Sequence, residues 1–95
     1  MTFCVYMLTN RPYGTLYVGM SSDLLRRIWE HRNKVVPGFT QRYGLNRLVW
    51  FEAHEVREAA IRREKQIKEW KRDWKINLIE RENRHWLDLS GNLTP

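Results

Sequence analysis

The first twenty residues constrain the fold more than any other stretch, because they encode two short strands joined by a tight turn. Residues 3–8, FCVYML, and residues 15–20, TLYVGM, are rich in the β-branched and aromatic residues that strands favour. The connecting TNRPYGT contains the proline and glycine typical of a turn. Because the connection is short, we expect the two strands to pair antiparallel as a hairpin.

Side-chain alternation divides this hairpin into two faces. Val5 and Met7 share one face of the first strand, and Tyr6 lies on the other. On the second strand Tyr17 and Gly19 share a face. The two tyrosines can therefore lie together on one side of the sheet, although ordinary cross-strand aromatic packing would account for such a pair equally well.

The rest of the chain alternates between helical and extended patterns. The SSD sequence at residues 21–23 is typical of a helix start, and this helix is predicted to run to about Asn33. Residues 47–53 indicate a third strand, residues 55–71 a second helix, and Asp73 is predicted to cap a third helix. The order is β-β-α-β-α-α. It predicts an α+β domain with a small three-stranded antiparallel sheet flanked by helices.

The length and the termini favour one small domain. The chain has 95 residues, of which we assign 1–85 to the domain and 86–95 to a C-terminal tail. No apolar run approaches the ~20 residues of a membrane span, and the N-terminus lacks the pattern of a signal peptide. The single Cys4 cannot form an intrachain disulfide. We therefore expect a cytoplasmic protein without a membrane partner.

The charge balance favours an anionic partner. Seventeen Lys and Arg residues stand against 11 Asp and Glu residues, which gives a net charge of +6. A basic domain rich in aromatic residues is typical of proteins that bind nucleic acid. The alternative is a basic domain whose charge serves solubility alone.

A helical wheel separates the two adjacent arginines of the first helix. The predicted apolar stripe of this helix consists of Leu24, Leu25, Ile28 and Trp29. Arg26 points away from that stripe and is predicted to face solvent. Arg27 and His31 are four residues apart, so they lie on the same face at the edge of the stripe. A side chain that merely covers apolar surface would also explain Arg27.

Glu64 lies at the margin of the apolar stripe of the second helix. Carboxylates are rarely placed against a core unless they are paired or bind a metal ion. An ion pair with Lys68, four residues later, would explain Glu64 without any catalytic role. Metal-ligand spacing among Cys and His residues is lacking, so no structural zinc site is expected.

Taken in order, these residues resemble the GIY-YIG endonuclease superfamily. The resemblance is carried by VYM at residues 5–7, YVG at 17–19, Arg27 in the following helix and Glu64 in the second helix, and it extends over roughly residues 3–80. The segment REKQIKEWKRDWKINLIE further resembles the small, stand-alone bacterial members of that superfamily.

The resemblance implies hydrolysis of a DNA phosphodiester with one divalent ion, Mg²⁺ or Mn²⁺. It implies five catalytic residues, which are Tyr6, Tyr17, Arg27, His31 and Glu64. Glu64 would bind the ion, and Arg27 would contact the non-bridging phosphate oxygens. Tyr6, Tyr17 or His31 would orient or deprotonate the attacking water, and the sequence does not rank these three.

One departure from the family pattern keeps a second hypothesis open. Met20 stands where some members carry a lysine after the second motif, so one positive charge near the site is absent. A non-catalytic DNA- or RNA-binding module on the same scaffold is therefore the alternative.

Substrate recognition has to come from this domain, from a homodimer or from a partner protein. Either a monomer or a homodimer is compatible with the sequence. The preferred substrate is DNA, with RNA as a second candidate, and recognition is predicted to be structure-selective or weakly sequence-specific. The candidate contacts to nucleic acid are Arg42, Arg47, Arg62, Lys65, Lys71, Arg72 and Lys75, and the resemblance adds Asn77.

Overall fold

Three strands form one antiparallel sheet in the computed structural model, which describes residues 2–33 and 43–93. The strands are β1 (Phe3–Thr9), β2 (Leu16–Ser21) and β3 (Arg47–His54). Their order is β2-β1-β3, so β1 is central and pairs antiparallel with both neighbours. The predicted hairpin and the predicted third strand are confirmed.

Three α-helices complete the order β-β-α-β-α-α. They are α1 (Leu24–Arg32), α2 (Arg57–Glu69) and α3 (Arg72–Glu82), and a 3-10 turn follows at Leu89–Asn92. The predicted α+β class is therefore confirmed. In the part of the chain that the structure describes, every helix is too short or too polar to cross a lipid bilayer.

The starts of α1 and α3 differ in how they are capped. The Asp23 carboxylate accepts a hydrogen bond from the backbone N–H of Arg26 (3.2 Å), as the sequence predicts. The predicted cap at Asp73 is wrong, because α3 begins at Arg72 and Lys71 takes the capping position. Asp73 lies in the first turn, where its charge interacts favourably with the positive end of the helix dipole.

The central strand separates two hydrophobic clusters. Val5 faces α2 and α3 and belongs to the cluster that contains Ile67 and Ile79. Tyr6 faces the opposite side and belongs to the cluster that contains Ile28 of α1. The predicted alternation along β1 is confirmed, and α1 is the helix that covers the tyrosine face.

The buried face of α1 differs from the predicted apolar stripe. Leu24 and Ile28 are buried, but Leu25 is 40% exposed and Trp29 is 59% exposed. The inner position one turn after Ile28 is taken by His31, which is only 5% exposed. The three buried residues have the i, i+4, i+7 spacing of one helix face. The helix therefore presents a histidine to the sheet and a tryptophan to solvent.

The two adjacent arginines of α1 are separated as the helical wheel predicts. The side chain of Arg26 is 75% exposed, whereas that of Arg27 is 36% exposed. Arg27 therefore lies at the edge where α1 meets the sheet.

A buried asparagine stabilises an irregularity in the pairing of β1 with β3. The pairing of β1 with β3 shifts between Met7 and Leu8, which leaves Val49 as an extra residue in β3. The side-chain amide of Asn83 donates to the carbonyl oxygens of Val49 (3.0 Å) and Leu87 (2.9 Å). Its oxygen accepts from the backbone N–H of Leu87 (2.9 Å). Asn83 thus fixes the end of α3 against the bulged strand.

The segment after residue 85 is attached to the sheet and to α1. Trp86 is 1% exposed and belongs to the main core cluster. Arg32 forms an ion pair with Asp88 and donates to the hydroxyl of Ser90 (2.8 Å). The division of the chain at residue 85 remains a prediction.

Candidate active site

Three aromatic side chains meet on the face of the sheet that α1 covers. Tyr6 comes from β1, Tyr17 from β2 and His31 from α1. The ring centroids are 6.3 Å apart for Tyr6 and Tyr17, 5.8 Å for Tyr17 and His31, and 6.4 Å for Tyr6 and His31. We call these three residues the aromatic cluster. It brings together three of the five predicted catalytic residues.

A glycine makes room for this cluster. Gly19 pairs directly with Tyr6 across the hairpin, and the Tyr6 ring lies over its Cα. A Cβ atom at this position would be 2.6 Å from the Tyr6 Oη and 2.9 Å from Tyr17 Cε1. Side chains do not tolerate such distances, so the two tyrosines can lie this close to β2 only because residue 19 has no side chain.

The phenol of Tyr6 and the imidazole of His31 form the buried centre of the cluster. Tyr6 Oη lies 3.4 Å from His31 Nε2, at the long end of the hydrogen-bond range. Burial and the neighbouring Tyr17 phenol raise the pKa of Tyr6 to about 12, against the opposing effect of Arg27. Burial and the positive charge of Arg27 lower the pKa of His31. At neutral pH the phenol is therefore protonated, and the imidazole is neutral and able to accept a proton.

Arg27 supplies a permanent positive charge at the rim of the cluster. Its interaction with the Tyr6 phenol raises the pKa of Arg27, so the guanidinium stays charged at every physiological pH. Arg27 Nη1 also lies 3.4 Å from the Glu30 carboxylate. With about a third of its side chain exposed, Arg27 is both attached to the cluster and accessible to a ligand.

Glu64 reaches the same cluster from α2. Burial is the main cause of the raised pKa of Tyr6, and the Glu64 carboxylate adds to it, so the two groups lie within electrostatic range. Glu64 Oε1 also forms an ion pair with Lys68 Nζ (3.2 Å). The ion pair with Lys68 that the sequence offered for Glu64 is therefore present, and the carboxylate also lies within electrostatic range of the Tyr6 phenol.

The Glu64 carboxylate could serve as the single protein ligand of a divalent metal ion. Residues 2–33 and 43–93 contain no group of three or more His, Cys, Asp or Glu side chains that could enclose a metal ion. Mg²⁺ does not require such a cage, because it commonly keeps several waters and takes only one or two carboxylates together with substrate phosphates. Glu64, which is about one-fifth exposed, provides one such carboxylate.

Comparison with known families decides the relationship. The sequence model of the GIY-YIG catalytic domain matches residues 2–77, which include the aromatic cluster, Arg27 and Glu64. The chain belongs to the GIY-YIG catalytic domain family. The resemblance given by the two tyrosine motifs is thereby confirmed. Membership of the GIY-YIG family implies endonuclease activity and a nucleic-acid substrate.

Relatives within the GIY-YIG family are UPF0213 proteins. The UPF0213 protein HQ_3675A of Haloquadratum walsbyi is 36% identical over 66 residues, which cover 70% of this chain and 74% of the relative. The UPF0213 protein CPE1444 of Clostridium perfringens is 36% identical over 75 residues, or 79% and 80% of the two chains. The solution NMR structure of the UPF0213 protein BH0048 from Bacillus halodurans aligns over the whole of both chains, with a TM-score of 0.59 and 28% identity. These names specify no activity.

The predicted contacts to nucleic acid fall into two groups. Arg42 lies outside the described residues. Three of the others already bind within the domain. Arg47 donates to the carbonyl of Trp86 (3.1 Å), Arg72 donates to the carbonyl of Gly14 (2.7 Å), and Lys75 lies 3.4 Å from a backbone carbonyl. The side chains that remain exposed are Arg62, Lys65, Lys71 and Asn77. All eight remain predictions.

Sequence reasoning did not single out three residues that the structure brings to this region. Gly19 was placed on a face but not assigned a role, and its role depends on lying opposite Tyr6 in the register. Glu30 pairs with both Arg26 (3.8 Å) and Arg27 (3.4 Å), as their i, i+4 and i, i+3 spacing could have indicated. Arg57 lies across a groove from Arg27, and no local pattern could have indicated that.

Proposed function

We propose that this protein is a divalent-metal-dependent endonuclease that hydrolyses DNA phosphodiester bonds with structure-selective or weakly sequence-specific recognition. The observation that supports it is the meeting of a permanent cation, a neutral imidazole and a protonated phenol beside one carboxylate from α2. Phosphodiester hydrolysis needs these capacities, because negative charge has to be neutralised and a proton has to be removed from water.

Each residue takes a distinct role in the proposed reaction. Arg27 contacts the non-bridging oxygens of the phosphate, because its planar guanidinium can donate two parallel hydrogen bonds. Glu64 would hold the divalent ion, Mg²⁺ or Mn²⁺, in place of its ion pair with Lys68, and the ion would supply charge neutralisation.

The proton acceptor we propose is His31 rather than Tyr6. A phenol with a pKa of about 12 is a poor base near neutral pH, whereas the lowered pKa of His31 keeps its imidazole neutral. During the reaction Tyr6 donates its phenolic hydrogen to a phosphate oxygen instead of to His31 Nε2, which leaves the one acceptor nitrogen of the neutral imidazole for the proton of the water. Tyr17, whose ring lies against the edge of His31, orients the imidazole and the water.

The decisive experiment is a panel of single-stranded, duplex, flap and branched DNA incubated with Mg²⁺, with Mn²⁺ and with a chelator. Wild type is expected to cut at least one substrate only when the metal is present. Glu64→Gln keeps the shape of the side chain and removes its charge, so cutting should be lost. Glu69→Ala, an exposed carboxylate on the same helix, is the matched control and should cut normally. Cutting by Glu64→Gln at the wild-type rate would refute the assignment of the metal ligand.

The second candidate function is a non-catalytic DNA- or RNA-binding module. It is favoured by the Lys68–Glu64 ion pair, since a lysine at 3.2 Å competes with a metal ion for the carboxylate. This candidate requires salt-dependent binding of DNA or RNA without cleavage of any substrate in the panel. Lys68→Ala separates the two functions further, because freeing Glu64 should raise metal-dependent cutting only if the chain is a nuclease.

A further inference from the structure

A groove with a volume of about 390 Å³ runs from the candidate active site to the start of α2. It begins at Arg27, passes the N-terminal end of α1 and reaches Arg57, the first residue of α2. Its volume lies near the lower end of the range of about 300–1,000 Å³ that is usual for ligand pockets. We call it the arginine groove, because Arg26, Arg27 and Arg57 all line it.

Among the three arginines of the arginine groove, Arg57 has no partner in the described part of the chain. Glu30 pairs with both Arg26 and Arg27, and Asp23 accepts the backbone N–H at the start of α1. The guanidinium of Arg57 makes no hydrogen bond or ion pair with residues 2–33 or 43–93. Arg57 therefore offers its full set of donors to a ligand in the groove.

The lining of the groove suits a sugar-phosphate chain better than a bare anion. Phe3 and Met20, both half-buried, provide apolar surface, while Arg57 provides the charge. The Ser21 hydroxyl oxygen accepts from the backbone N–H of Asp23 (2.9 Å), so its hydrogen remains available to a ligand. Apolar and donor groups in one groove match the alternating sugar and phosphate groups of a nucleic-acid strand.

We propose that the arginine groove binds the strand next to the phosphate at Arg27, with Arg57 contacting a flanking phosphodiester. The proposal rests on the proposed function, because the phosphate at Arg27 sets the register of the strand. Arg57 then contributes to binding and not to the chemical step. It is a substrate-positioning residue that acts across the gap between α1 and α2.

The test measures binding separately from cleavage. A fluorescently labelled oligonucleotide of mixed sequence, single-stranded or duplex, is titrated in chelator at several salt concentrations. Arg57→Ala is expected to weaken binding about tenfold and to lower the salt slope by about one phosphate contact. Arg81→Ala removes an exposed arginine outside the groove and should leave both quantities unchanged. With metal present, Arg57→Ala should raise KM and leave kcat unchanged.

A rescue variant tests whether Arg57→Ala weakens binding because the groove has lost a positive charge or because the substitution disturbs the structure. Met20 lines the same groove, so Met20→Lys returns a cation to it in the Arg57→Ala background. This double variant is expected to recover most of the affinity and the salt slope. Equal binding by Arg57→Ala and Arg81→Ala would overturn the proposal, and so would a double variant that recovers nothing.

Two further outcomes test the binding role of Arg57 independently of the proposed nuclease activity. If wild type binds the strand but never cuts it, the nuclease is refuted, whereas the binding comparison still decides the role of Arg57. Inorganic phosphate, added at constant ionic strength, is expected to compete weakly with the strand. This competition should be weaker in Arg57→Ala than in wild type, because the variant lacks one phosphate contact, and equal competition in the two would overturn the proposal.

Discussion

Replacing Gly19 by alanine should lower both the stability of the domain and its activity, because the new side chain displaces the Tyr6 ring. The new Cβ would lie 2.6 Å from the Tyr6 Oη and 2.9 Å from Tyr17 Cε1. Tyr6 is 1% exposed and central in the sheet, so its ring has no empty space to enter. The Tyr6 phenol is the nearer of the two rings and has to move, so its 3.4 Å contact with His31 is lost.

The expected magnitude follows from overpacking in a buried site. An added methyl group that forces neighbours out of position typically costs about 1–3 kcal/mol of unfolding free energy. For a domain of this size that corresponds to a melting temperature lower by roughly 4–20 °C. Misplacing a catalytic group by about 1 Å can cost about a hundredfold in rate, so we expect the rate of cleavage to fall by about that factor.

The assay is denaturant unfolding followed by tryptophan fluorescence, together with cleavage measured where the variant is fully folded. Gly91→Ala is the matched control, because a Cβ there would have nothing within 4 Å. It should change the unfolding free energy by less than about 0.5 kcal/mol. In a double-mutant cycle with Tyr6→Ala, most of the stability cost of Gly19→Ala should disappear. Stability and activity equal to those of Gly91→Ala would refute the reasoning.

Three further predictions concern Arg27 at the rim of the aromatic cluster, His31 within it, and the buried Asn83. Arg27→Ala should lower the cleavage rate about 10²–10³-fold and Arg27→Lys by less, since lysine keeps the charge but loses the planar fork; single-turnover kinetics measures both. Because the pKa of His31 is lowered in the folded protein, the unfolded chain binds a proton first as the pH falls. The contribution of His31 to the unfolding free energy should therefore be fully present above about pH 6.5 and decline below it. In pH-dependent denaturation, His31→Gln should show a smaller decline than wild type. Asn83→Ala breaks three hydrogen bonds at a buried position and should cost about 2–3 kcal/mol in the same denaturation assay, whereas exposed Asn77→Ala should cost less than about 0.5 kcal/mol.

Local patterns in the sequence determined the elements and most of their faces. A strand has a period of two, so residues 3–8 alone assign Val5 and Tyr6 to opposite sides of β1. A helix has a period of 3.6, so residues 24–32 alone place Arg27 with His31 and away from Arg26. These assignments hold because backbone geometry imposes the period, whatever the neighbouring elements are.

The same local reasoning misjudged which edge of α1 is buried. Hydrophobicity selected Leu25 and Trp29 together with Leu24 and Ile28. The structure buries Leu24 and Ile28 as expected, but their buried neighbour is His31, and Leu25 and Trp29 are exposed. A wheel gives relative angles within a helix, whereas the rotation of the helix against the sheet depends on what fills the space between them. Here that space contains the phenol of Tyr6, which can contact a histidine as a polar partner.

Only the tertiary structure decided which residues lie together. Gly19 lies opposite Tyr6 through the hairpin register. Glu64, which follows β3 in the chain, lies within electrostatic range of Tyr6. Arg57 faces Arg27 across the arginine groove for the same reason. The sequence by itself determined the elements and their periods, because short-range geometry sets them. The site depends on strand register and helix placement, which long-range packing sets.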